Sequence, residues 1–318
     1  SAFHAKIKTE FIYINLHKNM KKIITIIIVI VAIIAVYFIG KKSSNDTPPT
    51  PAPVTNNTNT SPTSTTTGTV VDTTKTVIGK SVEGRDIVAY HYGTGSTEVL
   101  FVGGIHGGYG WNTALVAYQL SDYLKANPDV VPEEVKVTVI PVLNPDGLFK
   151  TVGTTTGKFT KADAVADTVP GRFNANGVDL NRNFDCDWKE KGVWQNKPVD
   201  GGDMPFSEPE SEAIKNYVDK NDPSGVVVWY SAAGGVFASN CHGGVLSETN
   251  VIMRAYAEAS GYPASNSFDF YATTGDMTNW LAKNLTPAIS ILLTNHTDTE
   301  WTKNLAGIKA VLEYYGKK

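Results

Sequence analysis

Cysteine is scarce: Cys186 and Cys241 are the only two in 318 residues. Two thiols are too few for a zinc ribbon, which leaves either one disulfide or two buried free thiols, and both readings stay open. A basic surplus is missing too. Lys and Arg total 28 against 31 Asp and Glu, a net charge of -3. That balance argues against a nucleic-acid binder. Internal repeats are absent, so a solenoid is not expected. An apolar content of 42% suits one large globular domain with appendages.

Charge is also missing from the seventeen residues Ile23 to Ile39, which Lys21, Lys22, Lys41 and Lys42 enclose. A spanning helix needs roughly 17–25 such residues, whereas a cleavable signal core has about 7–15. No Ala-x-Ala cleavage signal follows, and no nearby cysteine offers a lipid site. The reading is an uncleaved transmembrane signal anchor over 20–42, with Met20 of "MKK" as the expected start and 1–19 as a doubtful extension. Residues 43–75 then lack aromatics and are rich in Thr, Pro and Asn. Such a tract cannot offset its chain entropy by burial, so a disordered linker is expected. The flanking lysines do not fix orientation. A stalk behind an N-terminal anchor implies a single-pass protein of the cell membrane whose domain, 76–318, lies outside the cytoplasm.

Within that domain, "TVIGKSVEGRDIVAYHYG" reads as two short strands around a turn at Glu83-Gly84. The runs 98–104, 134–144, 225–231 and 288–294 read as strands buried on both faces. Helical patterns cover 111–127, 207–221 with Ser207 as N-cap, and 301–315. Alternating strands and helices predict an α/β fold. Residues 147–178 read as a long loop region, usually a functional one.

Six short motifs occur in order: "IGKSVEGRDI", "FVGGIHGG", "NPDG", "GVDLNRNF", "PFSEPES" and "YSAAGG". In this order and register the domain resembles the zinc carboxypeptidases of the carboxypeptidase A type, with bacterial members nearest, some of which trim cell-wall peptides. The resemblance implies a mixed, mostly parallel β-sheet flanked by helices. It also implies a zinc held by two His and one Glu, with a fourth position open for water. A separate Glu would act as general base and an Arg would stabilise the oxyanion. An Asn-Arg pair would hold the substrate's terminal carboxylate and a Tyr would cover it.

Carried over residue by residue, the match splits. His106 matches the first zinc ligand. Its Glu partner falls at Gly110 or Tyr109, the second His at Tyr230 or, in the other register, Ser231, and the general base at Leu292. None of these is a family ligand or base. Arg172 matches the oxyanion Arg, Asn181 and Arg182 the carboxylate clamp, and Tyr271 the covering Tyr. Stoichiometric zinc is therefore not expected, and two arginines without a metal-acid cluster should favour an anion. The expected partner is the C-terminus of a peptide or peptidoglycan stem peptide, with no nucleic acid. The alternative is an active metallocarboxypeptidase whose metal site is rebuilt from His91, His242, His296, Asp269, Asp298 or Glu300. A purely structural surface domain is the third class.

Overall fold

Four β-branched runs form the middle of one eight-stranded sheet, as their continuous apolar character requires. The computed structural model describes residues 74–318. The expected anchor, and the linker up to residue 73, lie outside the described residues. Among the described residues no helix is long and apolar enough to cross a membrane.

The strands are β1 (Lys75–Lys80), β2 (Asp86–Tyr92), β3 (Thr97–Val102), β4 (Val135–Ile140), β5 (Lys191–Trp194), β6 (Lys197–Asp200), β7 (Gly225–Ser231), β8 (Gly235–Ala238), β9 (Ala264–Ser265) and β10 (Ala288–Leu293). The large sheet runs β1-β2-β4-β3-β7-β10-β8-β9, and β5 and β6 form a separate hairpin. Parallel pairing joins β4 to β3, β3 to β7, β7 to β10 and β8 to β9. The other three pairings are antiparallel. The sheet is mixed with a parallel centre, as expected.

The helices are α1 (Trp111–Ala126), α2 (Pro145–Val152), α3 (Pro209–Asn221), α4 (Ser247–Ser260), α5 (Met277–Lys283) and α6 (Trp301–Tyr315). Alternation along the strands assigns them to two layers. Phe101, Val227, Trp229, Ile289 and Ile291 face α1, α4 and α6, packing on Leu120, Tyr256 and Leu312. Leu100, Val228, Tyr230 and Leu292 face the opposite layer, with Ile214 of α3 and Leu281 of α5. A one-residue slip would exchange these two sets, so the register is firmly held. It sets Leu292 of β10 directly beside Tyr230 of β7. Both lie at the C-terminal ends of parallel strands, where open α/β sheets form their crevice.

Local expectations are corrected at two places. Helix α3 begins at Pro209, with Glu208 as its N-cap residue and no side-chain cap. Ser207 instead hydrogen-bonds Glu208 and receives a bond from Asn183. The segment assigned to loop from residue 147 opens inside α2, which is capped by the Asn144 side chain on Gly147 N–H and ends at Gly153 in the left-handed region. Helices α4 and α5 and the short strands β5, β6, β8 and β9 were not expected from the sequence. Cys186 and Cys241 form a disulfide with Cα atoms 6.1 Å apart, which resolves the open choice between bond and thiols.

Candidate functional site

A cavity of about 190 Å³ opens at the C-terminal ends of β7 and β10. His106, Arg172, Asn181, Arg182, Tyr230, Ser231, Tyr271 and Leu292 all line it. Residues spread over 187 positions of sequence thus meet at one place.

His106 reaches the cavity from the loop between β3 and α1. Gly108 N–H donates to Gly171 O at 2.9 Å. A Cβ on Gly108 would stand 1.7 Å from the Thr151 hydroxyl, so only glycine permits this close approach. The approach fixes His106 beside Arg172. The imidazole is buried, and its Nε2 lies 3.5 Å from Oδ1 of Asp179, long for a hydrogen bond. Burial, then the Arg172 guanidinium, lower its pKa to about 4 against the pull of Asp179. At neutral pH the ring is uncharged.

Arg172 is paired with a buried carboxylate. Its Nε and Nη2 meet Oδ2 of Asp179 at 2.9 and 2.8 Å, and its Cζ sits 4.4 Å from the Trp194 ring centroid. Burial opposes ionisation of Asp179, yet Arg172 and its neighbours hold the carboxyl well below the usual range. The expectation of two uncompensated cleft arginines is therefore corrected: Asp179, one residue before Leu180 in "GVDLNRNF", neutralises one of them. That motif was read for Asn181 and Arg182 alone.

Arg182 differs. Nε and Nη2 donate to Val193 O at 3.0 and 2.8 Å, and Nη1 donates to Asn181 O at 2.6 Å. A guanidinium has five N–H groups, so two remain for the cavity. Among the described residues Arg182 makes no ion pair with a carboxylate, and Tyr271 lies with its ring 6.0 Å from the Arg182 Cζ. Asn181 is oriented by α5. Its Oδ1 accepts from Met277 N–H at 3.1 Å and Tyr230 OH at 3.2 Å, and its Nδ2 donates to Asp276 Oδ2 at 2.8 Å.

The two registers left open by the sequence separate in space. The Tyr109 ring packs on Trp194 and His296, at 4.9 and 4.4 Å between centroids. A Cβ on Gly110 would instead lie 3.6 Å from the His106 Cβ and 3.8 Å from the Ser231 hydroxyl. Gly110 is thus the position that faces His106. Tyr230 lies 5.6 Å from His106 between ring centroids, whereas Ser231 donates to Asn112 Oδ1 at 2.8 Å. Burial, then Asp276, push the Tyr230 phenol well above its ordinary value, so it remains a neutral hydroxyl.

The residues considered for a rebuilt site do not gather at His106. His91 bridges Thr76 and Thr138 at 2.9 and 3.0 Å. His242 pairs with Asp187, Asp269 accepts from Ser267, Asp298 from Asn295, and Glu300 from Thr294. His296 packs against Tyr109 with the rings tilted by 54°, along the adjoining groove.

The profile of the zinc carboxypeptidases matches residues 69–302. The chain belongs to the zinc carboxypeptidase family. Among curated relatives, the human carboxypeptidase N catalytic chain is 28% identical over 212 residues, covering 60% of this chain and 40% of the relative. The gamma-D-glutamyl-L-diamino acid endopeptidase 1 of Lysinibacillus sphaericus is 24% identical over 218 residues, covering 62% and 55%. The chain therefore spans about half or less of the length of these two relatives. Among solved structures, carboxypeptidase A from Helicoverpa armigera superposes with a TM-score of 0.61 at 20% identity, covering 77% of this chain and 68% of that one. Murein-tripeptide amidase MpaA from Escherichia coli O157 gives 0.51 at 22%, covering 74% and 90%. At these identities the superpositions establish the fold.

Zinc belongs to the family, and the residues of this chain can be tested against it. A catalytic zinc needs three nitrogen, sulfur or carboxylate donors at about 2.0–2.3 Å. Around His106 stand a glycine, a neutral phenol engaged with Asn181, and an aliphatic side chain. Among the described residues no three His, Cys, Asp or Glu side chains are placed to hold an ion. This donor set does not fit the family's metal.

Proposed function

We propose that the chain is a membrane-tethered, catalytically silent carboxypeptidase-like domain that holds the C-terminal end of a peptide. The observation that carries this reading is Arg182: a buried guanidinium, two N–H groups to spare, in a cavity lined by His106, Tyr230 and Leu292, with Gly110 beside His106, where the family's ligands and base would stand. A terminal carboxylate entering there would take charge-assisted bonds from Arg182 and the remaining Asn181 N–H. Each such bond contributes about 1.5–3 kcal/mol in a desolvated site. Tyr271, on the same cavity wall, would cover the bound end. Arg172, already neutralised by Asp179, would orient the preceding carbonyl.

Cell-wall stem peptides are the proposed source of that C-terminus. Support comes from two relatives whose names specify a gamma-D-glutamyl-L-diamino acid linkage and a murein tripeptide. Tethering rests on the uncharged run Ile23 to Ile39 and the Thr/Pro/Asn-rich tract behind it. Such a domain would retain peptide ends near the membrane and release them intact.

The test is calorimetric titration of the 318-residue chain with peptides bearing a free or an amidated C-terminus, beside total-metal analysis and an assay for released C-terminal residues. Binding that amidation abolishes, without cleavage and without one zinc per chain, is expected. One zinc per chain with release of terminal residues would overturn the reading.

A further inference from the structure

The hairpin of β5 and β6 lies outside the eight-stranded sheet, yet it touches both guanidinium groups of the cavity. Exposure alternates along β5: Lys191 and Val193 are exposed, Gly192 and Trp194 buried. The inward face of this strand is therefore Gly192 and Trp194. The methylene stem of Arg182 runs against Gly192, where a Cβ would stand 3.0 Å from its Cδ and 3.1 Å from its Cγ. The indole of Trp194 lies against the Arg172 guanidinium, with Cζ 4.4 Å from the ring centroid, and Tyr109 meets the same indole edge-on at 4.9 Å. Between these two contacts the Val193 carbonyl accepts both Nε and Nη2 of Arg182. One short strand thus faces Arg182 with its backbone and Arg172 with a side chain.

What the indole adds is orientation. Asp179 receives Nε and Nη2 of Arg172 on a single oxygen, Oδ2. Two N–H groups converging on one acceptor fix where the guanidinium sits. They leave its plane free to turn about the line from that oxygen to Cζ, as far as the side chain's own torsions allow. An aromatic face laid against the group opposes that turn, and a cation–π contact is strongest where water is excluded. Asp179 supplies the counter-charge and Trp194 the plane.

We propose that Trp194 is a positioning residue of the clamp, holding the plane of Arg172 so that the N–H groups Asp179 leaves meet the carbonyl before a bound carboxylate. The inference rests on the clamp reading and adds the element that presents its donors. Donors already fixed in direction need no ordering when the peptide arrives, whereas a guanidinium free to turn must be ordered at the expense of affinity.

The experiment is calorimetry on the 318-residue chain and its Trp194→Phe and Trp194→Leu variants, with one peptide as free acid and as C-terminal amide. Phenylalanine keeps an aromatic face, and leucine keeps apolar bulk without one. The free acid should bind Trp194→Phe within about threefold of the unaltered chain, and Trp194→Leu at least about tenfold more weakly. In an Arg172→Ala background the Phe and Leu variants should bind alike, because Trp194 acts through that guanidinium. Unfolding midpoints confirm that each variant is folded. Trp194→Met, whose flexible chain fills irregular space, replaces the leucine variant if that one does not fold. A phenylalanine variant that binds no tighter than the leucine one, or a difference that persists without Arg172, would overturn this inference and leave the clamp standing. No binding of the free acid by the unaltered chain would overturn both.

Discussion

Oδ2 of Asp179 receives both Nε and Nη2 of Arg172, while Oδ1 of the same carboxylate lies 3.5 Å from the imidazole of His106. One buried acid thus pairs with Arg172 and faces His106. A carboxylate behind a ligating histidine orients the ring and fixes its tautomer. Here the same group chiefly cancels a guanidinium. The charged groups of the cavity wall that make no ion pair among the described residues are Arg182 and Asp276.

Asp179→Asn should leave Arg172 buried without a counter-charge. Loss of one partner of a buried pair costs about 3–5 kcal/mol. Urea denaturation should show that loss with an unchanged slope, and a change under about 1 kcal/mol would show that Arg172 is not held as the geometry indicates.

Placing the family's ligand and base residues at positions 110, 230 and 292 should create a metal site. A Cβ at Gly110 meets nothing nearer than 3.6 Å, so Gly110→Glu can be accommodated. Together with Tyr230→His and Leu292→Glu it should bring about one zinc per chain in elemental analysis, while each single variant stays near background. A metal-free triple variant that is folded by circular dichroism would reject Gly110 and Tyr230 as the ligand positions.

The Cys186–Cys241 bond closes a loop of 55 residues that carries β5 to β8 and α3. Removing both sulfurs as alanines should lower stability by about 2–4 kcal/mol through the freer unfolded chain. Guanidinium denaturation with and without reductant reads this directly. The double variant should be indifferent to reductant.

His91 sets a pH dependence away from the cavity. Burial outweighs the pull of Glu98 and, with Lys136, holds its pKa below the ordinary 6.5. The folded state therefore favours the neutral ring. The stability this gives is present above pH 6.5 and is lost as pH falls towards the folded value. His91→Gln should flatten the decline in unfolding free energy between pH 7 and 5, and parallel curves would exclude the effect.

Much of the fold was legible because its signals are local. The runs at 225–231 and 288–294 are long, β-branched and unbroken, so they read as central strands before any contact is known. Helix α2 was missed because its Asn144-Pro145 cap sits in a stretch whose glycine suggests a turn. Likewise the order of motifs was enough to name His106, Arg172, Asn181, Arg182 and Tyr271 as one site.

The sequence by itself determined that positions 110, 230 and 292 carry neither a carboxylate nor an imidazole, since a side chain's chemistry is independent of where it sits. Only the tertiary structure decided what the remaining charges do. Asp179 meets Arg172 seven residues away, and Asp276 meets Asn181 across 95 residues, at ångström distances that no run of the sequence states. Those distances are set by the packing of loops on the strand ends, which no local pattern encodes.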